Sequence, residues 1–223
     1  MSRKNISQEK IIQSFIASAF EKSAGATSLS DICEILGIKK ASLYNHFESR
    51  DAMYESTLDF CASEFSKVGF KTEATLDTII KGKTAVVTLF KKLVMRFFNL
   101  FENEPLFEMY SFVHTEQYFN LKALTIVREE NKKIYDDIFQ VIQAFCAVGK
   151  IKQKNEKVIA ETAGVLASFL IQNRDFYIAN RKEIVRQNPE SGAGSLFALP
   201  TDDQALNKIL KSCEIILKTY LDL

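Results

Sequence analysis

The sequence predicts an all-α protein with a small amino-terminal unit of three helices followed by a larger helical domain. Three observations carry this. Apolar residues recur at spacings of three and four along nearly the whole chain, no stretch alternates as a strand does, and only three prolines interrupt 223 residues.

The first helix is expected from Ser7 to Ser23, where Ile12, Phe15, Ile16, Ala19 and Phe20 keep helical spacing, and Gly25 is expected to end it. A second helix should open near Leu29. Ser28 and Asp31 have the form of a capping box, in which hydroxyl and carboxylate satisfy free amide donors. Leu29, Ile32, Cys33 and Leu36 then share one face, and Gly37 supplies the left-handed turn that stops the helix. Only Ile38 and Lys39 separate that stop from a third helix, Lys40 to His46, with Ile38, Leu43 and Phe47 inward. Lys39, Lys40, Ser42, Tyr44, Asn45 and His46 are left outward.

That outward set suits DNA: ammonium groups for phosphates, hydroxyls and an amide for phosphates or base edges, and an aromatic ring for the sugar-phosphate wall. Seven residues make a rod of about 10 Å, short enough for a major groove about 12 Å wide. On spacing alone, an ordinary helical hairpin with a solvated polar face fits equally well.

From Ile11 to about Leu58 the sequence resembles the TetR family of bacterial transcriptional regulators. The resemblance rests on Ile12, Ala19, Phe20, Gly25, Thr27 to Leu29, Ile32, Leu36 to Ile38, the run ASLYNHF, and Ser49, Arg50 and Met53. It implies a helix-turn-helix DNA-binding domain. Thr27 or Ser28 and Tyr44, Asn45 and His46 would then lie near phosphates, Lys39, Lys40, Ala41 and Ser42 would face bases, and Arg50 would complete the DNA-binding set. The family often has Ser or Thr in place of Lys39, Gly in place of Ala41 and Lys in place of Arg50. Lys39 cannot accept an amide proton through its side chain, so a weaker cap, or one completed by a phosphate, is expected.

Beyond Phe47, Ser49 should cap a helix running to about Val68 with Tyr54, Leu58, Cys61, Phe65 and Val68 on one side. A domain boundary is expected near Glu48, dividing the chain into 1–48 and 49–223, with a softer connection at Thr72 to Thr75. Phe90, Val94, Phe97 and Phe101 form a helical stripe, and Pro105 opens a short helix carrying Phe107, Tyr110 and Phe112. A long helix follows from about Tyr118 to Val148, stopped by Gly149.

Asn155 to about Arg186 carries two apolar stripes. One holds Ile159, Ala163, Leu166 and Leu170; the other holds Val158, Thr162, Val165, Phe169, Gln172 and Phe176. A helix apolar on two faces needs two partners. Asn188 to Leu199 reads as a loop, and Pro200 with a Thr201 to Gln204 capping box should start a final helix through Leu206, Ile209, Leu210, Cys213, Ile216, Leu217 and Tyr220. Surplus apolar surface on the last two helices predicts a homodimer, as the resemblance also implies. The two copies would present reading helices to half-sites about 34 Å apart on a pseudo-palindrome.

The net charge of +1 neither supports nor excludes a nucleic-acid partner. Residues 1–50 carry seven Lys or Arg against five Asp or Glu, a small basic bias, and Arg3 and Lys4 form a short basic arm. No run of eighteen apolar residues predicts a membrane span, and a polar start from Met1 to Lys10 predicts no secretory signal, so a cytoplasmic protein is expected. Cys33, Cys61, Cys146 and Cys213 lie far apart, with no CxxC pair or neighbouring His, and read as buried reduced thiols.

Two histidines, no Ser-His-Asp or Cys-His arrangement, no HExxH and no phosphate-cradling glycine loop argue against an enzyme, a metal site or a cofactor. The eighteen Phe and seven Tyr are instead compatible with a pocket for an apolar or aromatic small molecule. Candidate ligand contacts are Phe97, Phe101, Phe112, His114, Phe139, Phe169, Gln172, Asn173 and Phe176, though aromatic stripes at helical spacing also simply build cores. The expected function is a homodimeric transcriptional regulator, a repressor released by such a ligand, as the resemblance implies, through movement of the helix after the reader. The alternative is an architectural or partner-protein-controlled DNA binder without a metabolite.

Overall fold

A computed structural model describes residues 6–152, 155–188 and 201–223. Among them the chain is helical throughout, without strands: α1 (Gln8–Lys22), α2 (Leu29–Leu36), α3 (Lys40–Tyr44), α4 (Arg50–Lys67), α5 (Thr75–Ile80), α6 (Val86–Phe101), α7 (Leu106–Glu116), α8 (Leu121–Ala147), α9 (Glu156–Gln187) and α10 (Asp203–Leu221). Arg3, Lys4, the expected loop through Leu199 and Pro200 lie, apart from Asn188, outside the described residues.

The helices gather into two compact units, Met1–Lys67 with Pro105–Arg128, and Val68–Glu104 with Glu129–Leu223. The boundary expected near Glu48 therefore falls inside the first unit. Its core is Ile11, Phe15, Ile16, Ile32, Leu43, Leu58 and Val113, all essentially shielded from water. Phe15 on α1, Tyr54 on α4 and Phe112 on α7 form an edge-to-face triangle with centroids 5.9–6.2 Å apart. Polar ties close the same surface. Tyr54 donates to Glu116 Oε2 at 2.8 Å, and Lys122 pairs with Asp59 at 2.7 Å and Glu55 at 3.3 Å. These bonds make α7 and the first turns of α8 companions of α4, although α5 and α6 intervene in sequence.

In the second unit the stripe Phe90, Val94, Phe97 and Phe101 is buried, as its spacing predicts. The chain just after α4 is fixed within this unit. Phe70 is fully buried beside Phe90 and Phe97, Arg96 donates to the Gly69 carbonyl at 2.9 Å, and Asp137 accepts from the Lys71 amide and ammonium at 3.2 and 2.6 Å. A Cβ at Gly69 would lie 2.7 Å from Asp137 Oδ2, so close approach rather than turn geometry requires glycine there. Glu102 receives the hydroxyls of Tyr177 and Thr201, and Arg181 donates to its carbonyl at 3.0 Å.

Three local expectations are corrected. Ser23, not Gly25, ends α1: Ser23 takes φ 81° and ψ 156° while its amide donates to the Ala19 carbonyl. The stretch after α4 contains α5, whose start is organised by the Thr75 hydroxyl accepting from the Thr72 amide at 2.8 Å and whose Ile79 is buried. Asp202, not Thr201, caps α10 by accepting from the Ala205 amide, while the Thr201 hydroxyl donates to Glu102 at 2.8 Å.

Candidate nucleic-acid interface

The helix pair is built largely as its residues dictate. The Ser28 hydroxyl accepts from the Asp31 amide at 3.3 Å while Asp31 accepts from the Ser28 amide at 2.7 Å, closing the capping box. Asp31 also pairs with Lys22 of α1 at 2.6 Å. Its carboxyl is lowered to about 2, first by the hydrogen bond from Lys22 and then by the Ser28 amide. Gly37 ends α2 at φ 65°, and Ile32 and Cys33 are buried beneath. Burial raises the Cys33 thiol, an effect that the Lys40 charge opposes in part.

Helix α3 spans five residues rather than seven. Lys39 precedes it in extended conformation with no side-chain cap bond, as the missing hydroxyl predicts. Asn45 and His46 follow in a turn, closed by the amides of His46 and Phe47 on the Leu43 carbonyl at 2.9 and 3.0 Å. Gln8 of α1 donates to the His46 carbonyl at 3.0 Å, a brace that no local pattern announces. Leu43 and Phe47 are buried, while Lys39, Lys40, Ala41, Tyr44 and Asn45 are exposed and Ser42 and His46 half-buried. One surface of the first unit thus presents two ammonium groups, a phenol, an amide, a hydroxyl and an imidazole, underlain by packed side chains.

Thr27, Ser28 and Arg50, also expected among the DNA-binding residues, make contacts within the first unit. The Thr27 hydroxyl is buried, donating to the Ser23 carbonyl at 2.9 Å and lying 3.2 Å from the Ser18 hydroxyl. Ser28 is exposed, but its hydroxyl serves the cap. Arg50 directs Nε to the Thr27 carbonyl at 3.0 Å and Nη2 to the Ala24 carbonyl.

The candidate ligand residues do not form one cluster. Phe112 and His114 belong to the first unit, where the His114 ring stacks on Tyr110 at 3.7 Å. In the second unit Phe97 and Phe101 are buried, Phe139, Phe169 and Asn173 are half-buried, and Gln172 and Phe176 are exposed. Sequence reasoning missed the buried Arg174 and Glu130. They pair at 2.7 Å with the guanidinium over the Phe97 and Phe101 rings. A lone Arg and Glu on an otherwise apolar helix face were the available signal.

Residues 16–57 match the sequence model of bacterial regulatory proteins, tetR family. The Staphylococcus aureus protein named biofilm operon icaADBC HTH-type negative transcriptional regulator IcaR is 43% identical over 54 residues, which is 24% of this chain and 29% of that protein. The Staphylococcus epidermidis protein of the same name is 36% identical over 58 residues, covering 26% and 31%. The chain thus spans less than a third of the length of these relatives. Similarity to solved structures runs further. A Mesorhizobium loti structure assigned to the TetR family aligns with 100% of this chain and 98% of its own at a TM-score of 0.64 and 13% identity. A TetR transcription regulator from Haloarcula marismortui aligns over 96% of each chain at 0.59 and 13%. Such identities speak for the fold alone. Residues 16–57 thus carry the helix-turn-helix sequence of the tetR family, and the chain shares the fold of these solved structures.

Proposed function

We propose that the chain is a DNA-binding transcriptional regulator acting as a repressor, bound as a homodimer to a pseudo-palindromic operator and released by a small apolar or aromatic ligand. The observation that carries the reading is the surface formed by exposed Lys39, Lys40, Ala41, Tyr44 and Asn45 with half-buried Ser42 and His46, mounted on a tightly braced three-helix base. The staphylococcal relatives, matched over the reader, are named negative transcriptional regulators, which favours repression.

Dimerisation is supported by apolar surface that one chain leaves open on its last two helices: Val165 and Phe176 on α9, and Ile215 and Tyr220 on α10. Phe176 and Gln172 therefore serve the dimer better than a ligand. In this reading residues 1–48 read DNA, 49–223 carry dimerisation and ligand response, and the effector occupies the second unit near Phe97, Phe101, Phe139, Phe169 and Asn173. Helix α4 transmits the response, since a ligand preferring a DNA-incompetent arrangement depopulates the bound one. The exposed turn at Tyr118, Phe119 and Leu121 favours a second reading, in which a partner protein rather than a metabolite controls binding.

Selection from random double-stranded DNA with the purified chain tests the proposal. Enrichment of a pseudo-palindrome bound by two copies is expected; retention of unselected sequence only would defeat it.

A further inference from the structure

Arg50 is among the residues expected to bind DNA, yet its guanidinium is engaged within the protein. Nε donates to the Thr27 carbonyl at 3.0 Å, Nη2 donates to the Ala24 carbonyl, and the group lies 5.7 Å from the centroid of the buried Phe15 ring. Its remaining charged neighbour is Asp51, at 3.9 Å from Nη1. Both carbonyls belong to the turn that joins α1 to α2. That turn is unusual in needing Ser23 at φ 81°, and it is held from other sides by the Thr27 hydroxyl on the Ser23 carbonyl and by the Lys22–Asp31 pair. Arg50 is also the first residue of α4.

We propose that Arg50 is a positioning residue of the reader, not a phosphate ligand: its planar fork fastens the start of α4 to the α1–α2 turn and so sets the register of α2 and α3 against DNA. Two donors on one rigid group reach two carbonyls three residues apart, a task that a lysine ammonium on a flexible stem does not reproduce. The fork also gives α4 a direct hold on the reading pair, so that displacement of α4 is felt at the Ala24–Thr27 turn. The inference rests on the reading of Thr27 to Phe47 as a DNA reader, but half of its test does not.

Arg50→Lys keeps the positive charge and loses the fork; Arg50→Gln loses both. Binding of each variant is measured against the selected operator and against random DNA over a salt series, together with amide hydrogen exchange of the free protein. Both variants are expected to lose roughly tenfold in operator affinity, as for a lost charged hydrogen bond, with random-DNA affinity and salt slope unchanged. General loss of folded protein would lower both affinities alike and leave their ratio intact. Amide exchange across Ala24–Asp31 is expected to quicken while α9 and α10 keep their protection. Full operator affinity in Arg50→Lys, or a salt slope lower by about one unit in Arg50→Gln, makes Arg50 a phosphate contact and overturns the proposal. Unchanged exchange at the turn overturns it without reference to DNA. A wild-type chain that selects no sequence defeats the DNA-reading function instead, and exchange alone then decides the role of Arg50.

Discussion

Arg174 and Glu130 form an ion pair inside the second unit, with Nη1 2.7 Å from Oε1 and no part of Arg174 open to solvent. The guanidinium lies 4.7 Å from the Phe101 ring centroid and 5.1 Å from that of Phe97, so aromatic faces replace water around the charge. Removing one partner takes a close counter-charge from the other in a medium that solvates it poorly. Glu130→Ala is expected to cost about 3–5 kcal/mol in denaturant unfolding. Replacing both by apolar residues of similar volume, Arg174→Met with Glu130→Leu, is expected to recover most of that loss. Equal losses in single and double variants would show that the packing of these side chains, not their charge, is at stake.

Ser23 carries a second prediction. A side chain at φ 81° and ψ 156° is strained, and the turn persists because Thr27, Arg50 and the α1 carbonyls overdetermine it. The Ser23 hydroxyl accepts only a long bond from the Ala26 amide, at 3.4 Å. Ser23→Gly is therefore expected to stabilise the first unit by up to about 1 kcal/mol, and Ser23→Ala to leave the strain in place. A thermal midpoint that falls in the glycine variant would contradict this.

Acid should loosen the reader through Asp31. Folding lowers its carboxyl from 3.8 to about 2, chiefly through the hydrogen bond from Lys22. A carboxyl lowered on folding stabilises the native state above its ordinary value and loses that contribution as pH falls toward the folded value. The window is thus from about 4 down to 2. In a carbon-13 titration Asp31 is expected to turn over near 2 in the wild type and markedly higher in Lys22→Met. A Lys22→Met midpoint still near 2 would assign the shift to the Ser28 cap alone.

Much of this was legible locally. The Ser28–Asp31 box, the Gly37 stop, the Ser49 cap and the Phe90–Phe101 stripe are short-range features, in which residues a few positions apart determine the outcome. What escaped is long-range or competitive. Nothing near Phe112 or Glu116 says that α7 packs on α1 and α4, because the partners Phe15 and Tyr54 stand far back in the chain. Thr201 satisfies the capping pattern, but its hydroxyl donates to distant Glu102 and Asp202 caps. Glycine at position 25 invited a stop that tertiary bonds placed at Ser23 instead. The family pattern that includes Thr27 and Arg50 gave no sign of their contacts with the Ser23 and Thr27 carbonyls of the turn.

The exposed face of α3 yields a prediction by charge. Lys40 is solvent-exposed, and no ion pair involving it is recorded among the described residues. As a phosphate contact it should contribute counterion release and no sequence information. Lys40→Ala is then expected to weaken operator and random DNA alike and to reduce the salt slope by about one unit. An unchanged slope with relaxed base preference would make Lys40 a base reader. Tyr44, 55% exposed, should weaken binding when replaced by Ala while leaving the mass in solution unaltered.

Association rests on other residues. Phe176 on α9 and Ile215 on α10 are 62% and 64% exposed in the single chain, so a charge at either site disturbs little within one copy. If two copies cover them, an aspartate there is buried at the contact and strongly opposes association. Wild-type protein is expected to scatter light at twice the chain mass of 25.3 kDa, and Phe176→Asp or Ile215→Asp to shift toward that single mass. Ile80→Asp is the control, since Ile80 is 68% exposed and lies on α5 rather than on the two helices proposed to form the contact. Operator affinity should fall with the dimer, because a lone reading helix engages one half-site and loses the gain of a tethered second. Dimers that persist in both variants would move the contact off the exposed stripes of α9 and α10.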